Sequence, residues 1–186
     1  SMNQIIHANI TKIVIPPEIT VISKDFFQKN SKIKEISLSG DVTNIEEYAF
    51  NECTSINKIK LSQKLLYIGS YAFNKCQSLT TISIPNSVKE IGQYAFNNCT
   101  SLTQIILSDS IEKIKCNSFE DCLSLKQITI PSSVKIIEQY SFNRCKSLNQ
   151  VIFDKQSTLE IIGSESFGSC QQLNKLTIPS SVTEIR

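Results

Sequence analysis

The stretch Leu79–Ser101, LTTISIPNSVKEIGQYAFNNCTS, decides the fold, because the rest of the chain is variations on it. Its phase marker is a phenylalanine. Phe27, Phe50, Phe73, Phe96, Phe119 and Phe142 recur every 23 residues, and Phe167 follows after 25, where DKQSTLEIIG replaces a turn two residues shorter. Three residues past each Phe stand Cys53, Cys76, Cys99, Cys122, Cys145 and Cys170, with Asn30 in the first copy. Six past it lies Ile33, Ile56, Leu79, Leu102, Leu125, Leu148 or Leu173, and five before it Ile22, Ile45, Ile68, Ile91, Ile114, Ile137 or Ile162. Self-similarity at such a period is the mark of a solenoid, whose units cannot bury their apolar faces alone and do so by stacking.

Each copy reads the same way. A short strand, L-x-x-I-x-I, alternates inward and outward, as in TTISI or KQITI. Proline or serine closes it (Pro16, Pro85, Pro131, Pro179), since proline lacks the N–H for a further ladder bond. A turn with an inward Val42, Val88, Ile111, Val134 or Val182 follows. Then comes the Ile-Gly-x-Tyr-Ala-Phe run, where a small residue (Ala49, Ala72, Ala95, Ser118, Ser141, Ser166) lets the Phe pack beneath. That run is too short for a free-standing helix, so the pattern predicts one helical or 3₁₀ turn held by packing. The whole chain, 1–186, is expected to be one domain of about seven repeats with partial terminal units. Residues 181–186, SVTEIR, match 87–92 and lead toward another YAF segment, so the chain is expected to be a piece of a longer array whose uncapped end is open to end-to-end association.

Composition excludes several classes. The formal net charge is +2, with no basic block for nucleic acid or an anionic membrane. Apolar runs of four or five residues are too short for direct membrane insertion, and no signal-peptide core opens the sequence. Six of the seven cysteines share one repeat position and should form a column inside the coil. Parallel Cβ vectors hold stacked positions about 4.8 Å apart, whereas a disulfide wants Cβ atoms roughly 3.8 Å apart. The column therefore reads as reduced thiols acting as small buried hydrophobes with weak S–H donors. No C-x2-C pair offers a zinc site. Cys116 stands outside the column, with no role assigned by the repeat.

The pattern I-P-x-S-V-x-x-I-G-x-x-A-F-x-x-C-x-x-L-x-x-I-x-I, clearest at 84–107 and 130–152, resembles the BspA-like leucine-rich repeat family. The resemblance covers nearly the whole chain. It implies an α/β leucine-rich-repeat solenoid with a parallel β-sheet on the concave side and the short helical or 3₁₀ turns on the convex side. Members are bacterial or protist proteins, often associated with the cell surface and with adhesion to host proteins, and the family supplies no catalytic residues to carry over. Departures are Asn30 for the first Cys, Asn117 and Glu165 for the usual Tyr, and the 25-residue unit around 154–163.

Little chemistry is available. His7 is the only histidine and falls in the Cys column, which removes Ser–His and Cys–His schemes and most His-based metal sites. The five glycines form no phosphate loop, and no carboxylate pair recurs at fixed positions. No catalytic, cofactor or metal site is therefore expected. The sequons Asn9-Ile10-Thr11 and Asn98-Cys99-Thr100 are of a kind that arises by chance in an Asn/Ser/Thr-rich chain. Alternation places Lys58, Lys60, Thr81, Ser83, Gln104, Ile106, Gln127, Thr129, Gln150 and Ile152 on the outward side of the strands. These ten form the candidate protein-binding strip, mostly polar with two apolar anchors; as good strand formers in exposed positions they have a purely structural reading too. The strip lacks aromatic platforms for sugar or base stacking. The expected function is a non-enzymatic interaction module binding a protein ligand, at the cell surface as the resemblance implies; the competing reading is an intracellular scaffold or assembly segment.

Overall fold

A computed structural model describes residues 9–38 and 40–186. Its strands, in chain order, are β1 (Lys12–Ile15), β2 (Val21–Ile22), β3 (Glu35–Leu38), β4 (Asn44–Ile45), β5 (Lys58–Lys60), β6 (Tyr67–Ile68), β7 (Thr81–Ser83), β8 (Glu90–Ile91), β9 (Gln104–Ile106), β10 (Lys113–Ile114), β11 (Gln127–Ile130), β12 (Ile136–Ile137), β13 (Gln150–Phe153), β14 (Ile161–Ile162) and β15 (Glu184–Ile185). They are arranged as a parallel β-solenoid of about eight turns. The longer strands stack on one side, hydrogen-bonded as β1-β3-β5, β7-β9 and β11-β13. The two-residue strands stack on another, as β2-β4-β6-β8 and β10-β12-β14-β15. Pairing advances by one repeat, Ile82 beside Ile105 and Ile68 beside Ile91.

This second ladder is absent from the expectation drawn from sequence. The recurrent Ile five residues before each Phe, taken as part of a helical turn, is the inward half of a two-residue strand, buried at Ile22, Ile45, Ile68, Ile91, Ile114, Ile137 and Ile162.

The expected helical or 3₁₀ turn is also overturned: no helix occurs among the described residues, and hence none long and apolar enough to cross a membrane. Hydrogen bonding gives the reason. Along the YAF segment alternate N–H groups leave the coil: Tyr48 N donates to Ser70 O (3.1 Å), Phe50 N to Ala72 O (2.8 Å) and Glu52 N to Asn74 O (2.8 Å). The N–H groups between them close local turns, Ala49 N to Glu46 O (3.3 Å), Asn51 N to Tyr48 O (3.0 Å) and Cys53 N to Phe50 O (3.1 Å). An α-helix would spend every N–H inside its own segment; here half of them join neighbouring coils. The alternation requires a left-handed residue two before and two after each Phe, such as Tyr48 (φ 57°) and Glu52 (φ 59°) or Tyr94 (φ 57°) and Asn98 (φ 57°). For an L-residue other than Gly or Asn that conformation costs about 1–2 kcal/mol, and the inter-coil bonds offset it.

The core is a set of columns. Phe27, Phe50, Phe73, Phe96, Phe119, Phe142 and Phe167 stack with centroids 5.1–5.5 Å apart and rings within 11° of parallel. The cysteine column lies beside them, and every described cysteine is unbridged. Each column thiol donates to the carbonyl of a Phe one coil back: Cys53 Sγ to Phe27 O (2.9 Å), Cys99 Sγ to Phe73 O (3.2 Å), Cys145 Sγ to Phe119 O (3.2 Å). Burial pushes the Cys53 and Cys99 thiols up to about 12, which suppresses the thiolate needed for exchange or metal binding. Asn30, standing where the first Cys would be, uses Oδ1 to accept from Lys32 N (3.0 Å) and Ile33 N (2.9 Å). At Gly92 a Cβ would lie 2.3 Å from Ser70 N, so glycine there permits the close approach of two coils.

Candidate binding face

Within each longer strand the second residue points inward and its neighbours outward. Ile82, Ile105 and Ile128 are buried, while Thr81, Ser83, Gln104, Ile106, Gln127 and Thr129 are exposed. Lys58, Lys60, Gln150 and Ile152 are exposed as well. Register within β3-β5, β7-β9 and β11-β13, carried across the unpaired junctions by the 23-residue repeat, gathers the ten into two columns. One runs Lys58, Thr81, Gln104, Gln127, Gln150, continuing the direction of Lys12 and Glu35; the other runs Lys60, Ser83, Ile106, Thr129, Ile152, continuing Ser37 and Val14. Val14, 73% exposed, is a further apolar member that the sequence reading passed over, although the match of Ile13 and Ile15 to Ile36 and Leu38 already placed it there.

Charge on these columns is unevenly distributed. Lys12 Nζ lies 3.0 Å from Glu35 Oε1, so that pair largely neutralises itself. Lys58 and Lys60 have no carboxylate partner among the described residues. From β7 to β13 the outward strand positions are uncharged. Carboxylates return at the strand ends: a hollow of about 280 Å³ is lined by Gln104, Ile106, Asp109, Gln127, Thr129 and Asp154, among others. Asp109 is held by its neighbour, accepting from Asn86 Nδ2 (3.2 Å) while its own N–H donates to Asn86 Oδ1 (3.1 Å). Asp154 Oδ1 accepts from Gln156 N (2.8 Å), which fixes the start of the two-residue insertion. Ile106 is 56% and Ile152 38% exposed, apolar surface with no cover from the chain itself.

Elsewhere the surface offers less. A larger hollow, about 470 Å³, lies along β8 and β10 between Lys89, Glu90, Ser110, Glu112, Lys113 and Lys115; its charges alternate in sign, and Lys115 pairs with Glu90. Cys116 is half-buried. Its N–H and Sγ both lie within hydrogen-bonding reach of Glu138 Oε2 (3.0 and 3.1 Å). Burial, then the Glu138 hydrogen bond and charge, pushes its thiol up to about 11, the opposite of an activated nucleophile. His7 lies outside the described residues. No group of three or more His, Cys, Asp or Glu is placed to hold a metal ion among the described residues.

Comparison with known proteins agrees with this geometry. Among curated proteins none matches. Solved structures do. A leucine-rich repeat protein from Bacteroides ovatus is 32% identical with a TM-score of 0.86, covering 95% of this chain and 45% of its own. The T. pallidum leucine-rich repeat protein is 29% identical with a TM-score of 0.82, covering 89% of this chain and 79% of its own. A leucine-rich repeat protein from Eubacterium ventriosum, 21% identical with a TM-score of 0.65, shares the fold. The chain thus spans less than half the length of the Bacteroides protein. The profile of the BspA type leucine rich repeat region matches six copies across residues 6–122 and 67–186. Phe, Cys and Ile columns in 23-residue register, matched by that profile over nearly the whole length, place this chain in the BspA-type leucine-rich repeat family.

Proposed function

We propose that the chain is a non-enzymatic interaction module whose concave columns, from Lys58 to Ile152, bind a protein ligand, in the setting of adhesion at a cell surface. One observation carries the reading: repeat positions nearly invariant from coil to coil are buried, whereas the exposed strand positions change character along the strip, from Lys58 and Lys60 through Thr81 and Ser83 to the glutamines at 104, 127 and 150 and the isoleucines at 106 and 152. Variation along an aligned, exposed strip is how a scaffold with fixed packing encodes a partner. The reading involves no catalysis, cofactor, metal or nucleic acid. Its test is binding of the folded chain to extracellular-matrix and cytosolic candidates by interferometry, repeated with Lys58→Glu, Gln104→Ala, Ile106→Asp and Ile152→Asp. An interaction that survives all four substitutions unchanged refutes the concave assignment.

A second reading, an intracellular scaffold or assembly segment, is favoured by the seven unbridged cysteines, since reduced thiols persist in reducing compartments. Localisation of the native protein separates the two. End-to-end self-association belongs with the scaffold and predicts a sedimentation coefficient that rises with concentration.

A further inference from the structure

The concave strip has a direction. At one end stand Lys58 and Lys60, cations without a carboxylate partner among the described residues. Two strands further on is Ile106, beside a hollow edged by Asp109 and Asp154, and two strands beyond that is Ile152. Lys155, which follows Asp154, is not among the residues of this hollow. Paired strands lie about 4.8 Å apart; β5 and β7, and β9 and β11, lie side by side without ladder pairing, and the same spacing carried across them makes each of these steps roughly 10 Å, close to the length of three residues of extended chain at about 3.3 Å each. At about 280 Å³ the hollow falls below the usual size of a small-molecule site, roughly 300–1,000 Å³, and suits side chains instead.

Resting on the concave-face reading above, we infer that the strip takes an extended peptide segment laid across the strands, with an acidic residue against Lys58 and Lys60, an apolar residue about three positions along against Ile106, a lysine or arginine next to it between Asp109 and Asp154, and a second apolar residue about three positions further against Ile152. Three features fit this occupant. Charge complementarity sets its direction and excludes the reversed-charge sequence. The step between anchors matches the rise of an extended chain. The uncharged amides and hydroxyls between the anchors (Thr81, Ser83, Gln104, Gln127, Thr129) supply hydrogen-bonding partners to a peptide backbone that has left water. A second copy of the chain fits less well, because two separate isoleucines supply a small part of the roughly 1,200 Å² that a stable interface buries.

The test uses the folded 186-residue chain and labelled synthetic peptides. The probe DSGLKSL is compared with its charge-swapped counterpart KSGLDSL and its apolar-to-serine counterpart DSGSKSS, each also in reversed sequence so that either chain direction is sampled. Fluorescence anisotropy at about 50 mM salt, where surface charge is weakly screened, should show DSGLKSL or its reverse binding at least about fivefold tighter than the charge-swapped peptide. The Lys58→Glu/Lys60→Glu/Asp109→Lys/Asp154→Lys variant should invert that preference while staying folded by circular dichroism, the exposed hydrogen bonds from Asn86 Nδ2 to Asp109 and from Gln156 N to Asp154 being its only structural losses among the described residues. Equal binding of the charge-swapped peptide, or no binding of any probe up to about 1 mM, overturns the inference. So does a dimer in sedimentation that dissociates on Lys58→Glu/Lys60→Glu. Failure of the broader reading looks different. If peptides bind without charge preference yet are lost in Ile106→Asp/Ile152→Asp, the strip binds but the direction is wrong; if that variant also leaves binding intact, the concave assignment fails with it.

Discussion

Replacing Phe96 with Ala removes a ring from the middle of the aromatic column. Phe96 is fully buried, with Phe73 at 5.2 Å on one side and Phe119 at 5.5 Å on the other. Truncation of a buried Phe to Ala costs about 3–5 kcal/mol through lost transfer energy and the cavity left behind. Phe96→Leu separates the contributions: it keeps most of the volume and forfeits the two ring pairs, about 0.5–1.5 kcal/mol each beyond area burial. Phe167, half-buried and with one ring neighbour at 5.4 Å, is the internal control, and Phe167→Ala should cost less than half as much as Phe96→Ala. For a chain of this size each kcal/mol moves the melting temperature by about 2–4 °C, so Phe96→Ala should lower it by roughly 6–20 °C. Urea titration followed by circular dichroism gives the free energies, and thermal melts give the shifts. If Phe96→Ala costs under about 1.5 kcal/mol, or if Phe167→Ala costs as much, the column is not what joins the coils.

Two further outcomes concern the thiols and the left-handed turns. The Cys53 and Cys99 thiols are pushed from 9.0 up to about 12 by burial, so the folded chain holds protons that the unfolded chain releases above pH 9. Stability should then be constant with respect to these groups below pH 9 and fall between pH 9 and 12, by on the order of 1 kcal/mol for each group at pH 10; Cys99→Ala should reduce the alkaline slope seen in urea titrations, and an identical slope would refute the assignment. Lys29 holds φ 60° at an exposed position that Asn98 occupies three coils later. Lys29→Asn should stabilise by a few tenths to about 1 kcal/mol, and a destabilised variant would mean that the positive φ is not a cost the chain carries.

The inward and outward assignment was readable because it rests on period 2 within a strand and period 23 between strands, and side-chain hydrophobicity reports both directly. Ile82, Val88, Phe96, Cys99 and Leu102 are all buried, and the ten outward strand positions are all exposed. The turn leading into each Phe is not legible in one repeat because its conformation is not set by local propensity. Alternate N–H groups of Ile-Gly-Gln-Tyr-Ala-Phe, those of Tyr94 and Phe96, find carbonyls in the next coil, a long-range choice that no window of one repeat contains. The hollow beside Ile106 was hidden for a related reason. Asp109 and Asp154 lie almost two repeats apart and off the strand pattern, and they meet because the insertion after Phe153 places a carboxylate at the strand end.

The array also contains an interruption that bears on how it finds one alignment. Position 120 departs from the asparagines that stand one residue after Phe in several coils. Glu120 receives Asn97 Nδ2 (3.2 Å), Asn117 Nδ2 (2.7 Å) and Asn143 Nδ2 (3.0 Å), and Arg144 lies 3.3 Å from it. The Tyr48–Tyr71–Tyr94 ring series stops at the adjacent Asn117. Coils of identical sequence would be interchangeable, and a chain of them could dock one repeat out of place with nearly equal energy. The carboxylate at 120 and the two extra residues after Phe153 act as index marks: a slip of 23 residues would part Glu120 from Asn97 or Asn143 and from Arg144, and would misalign every later column. Irregularity in this solenoid is thus what makes its native alignment unique.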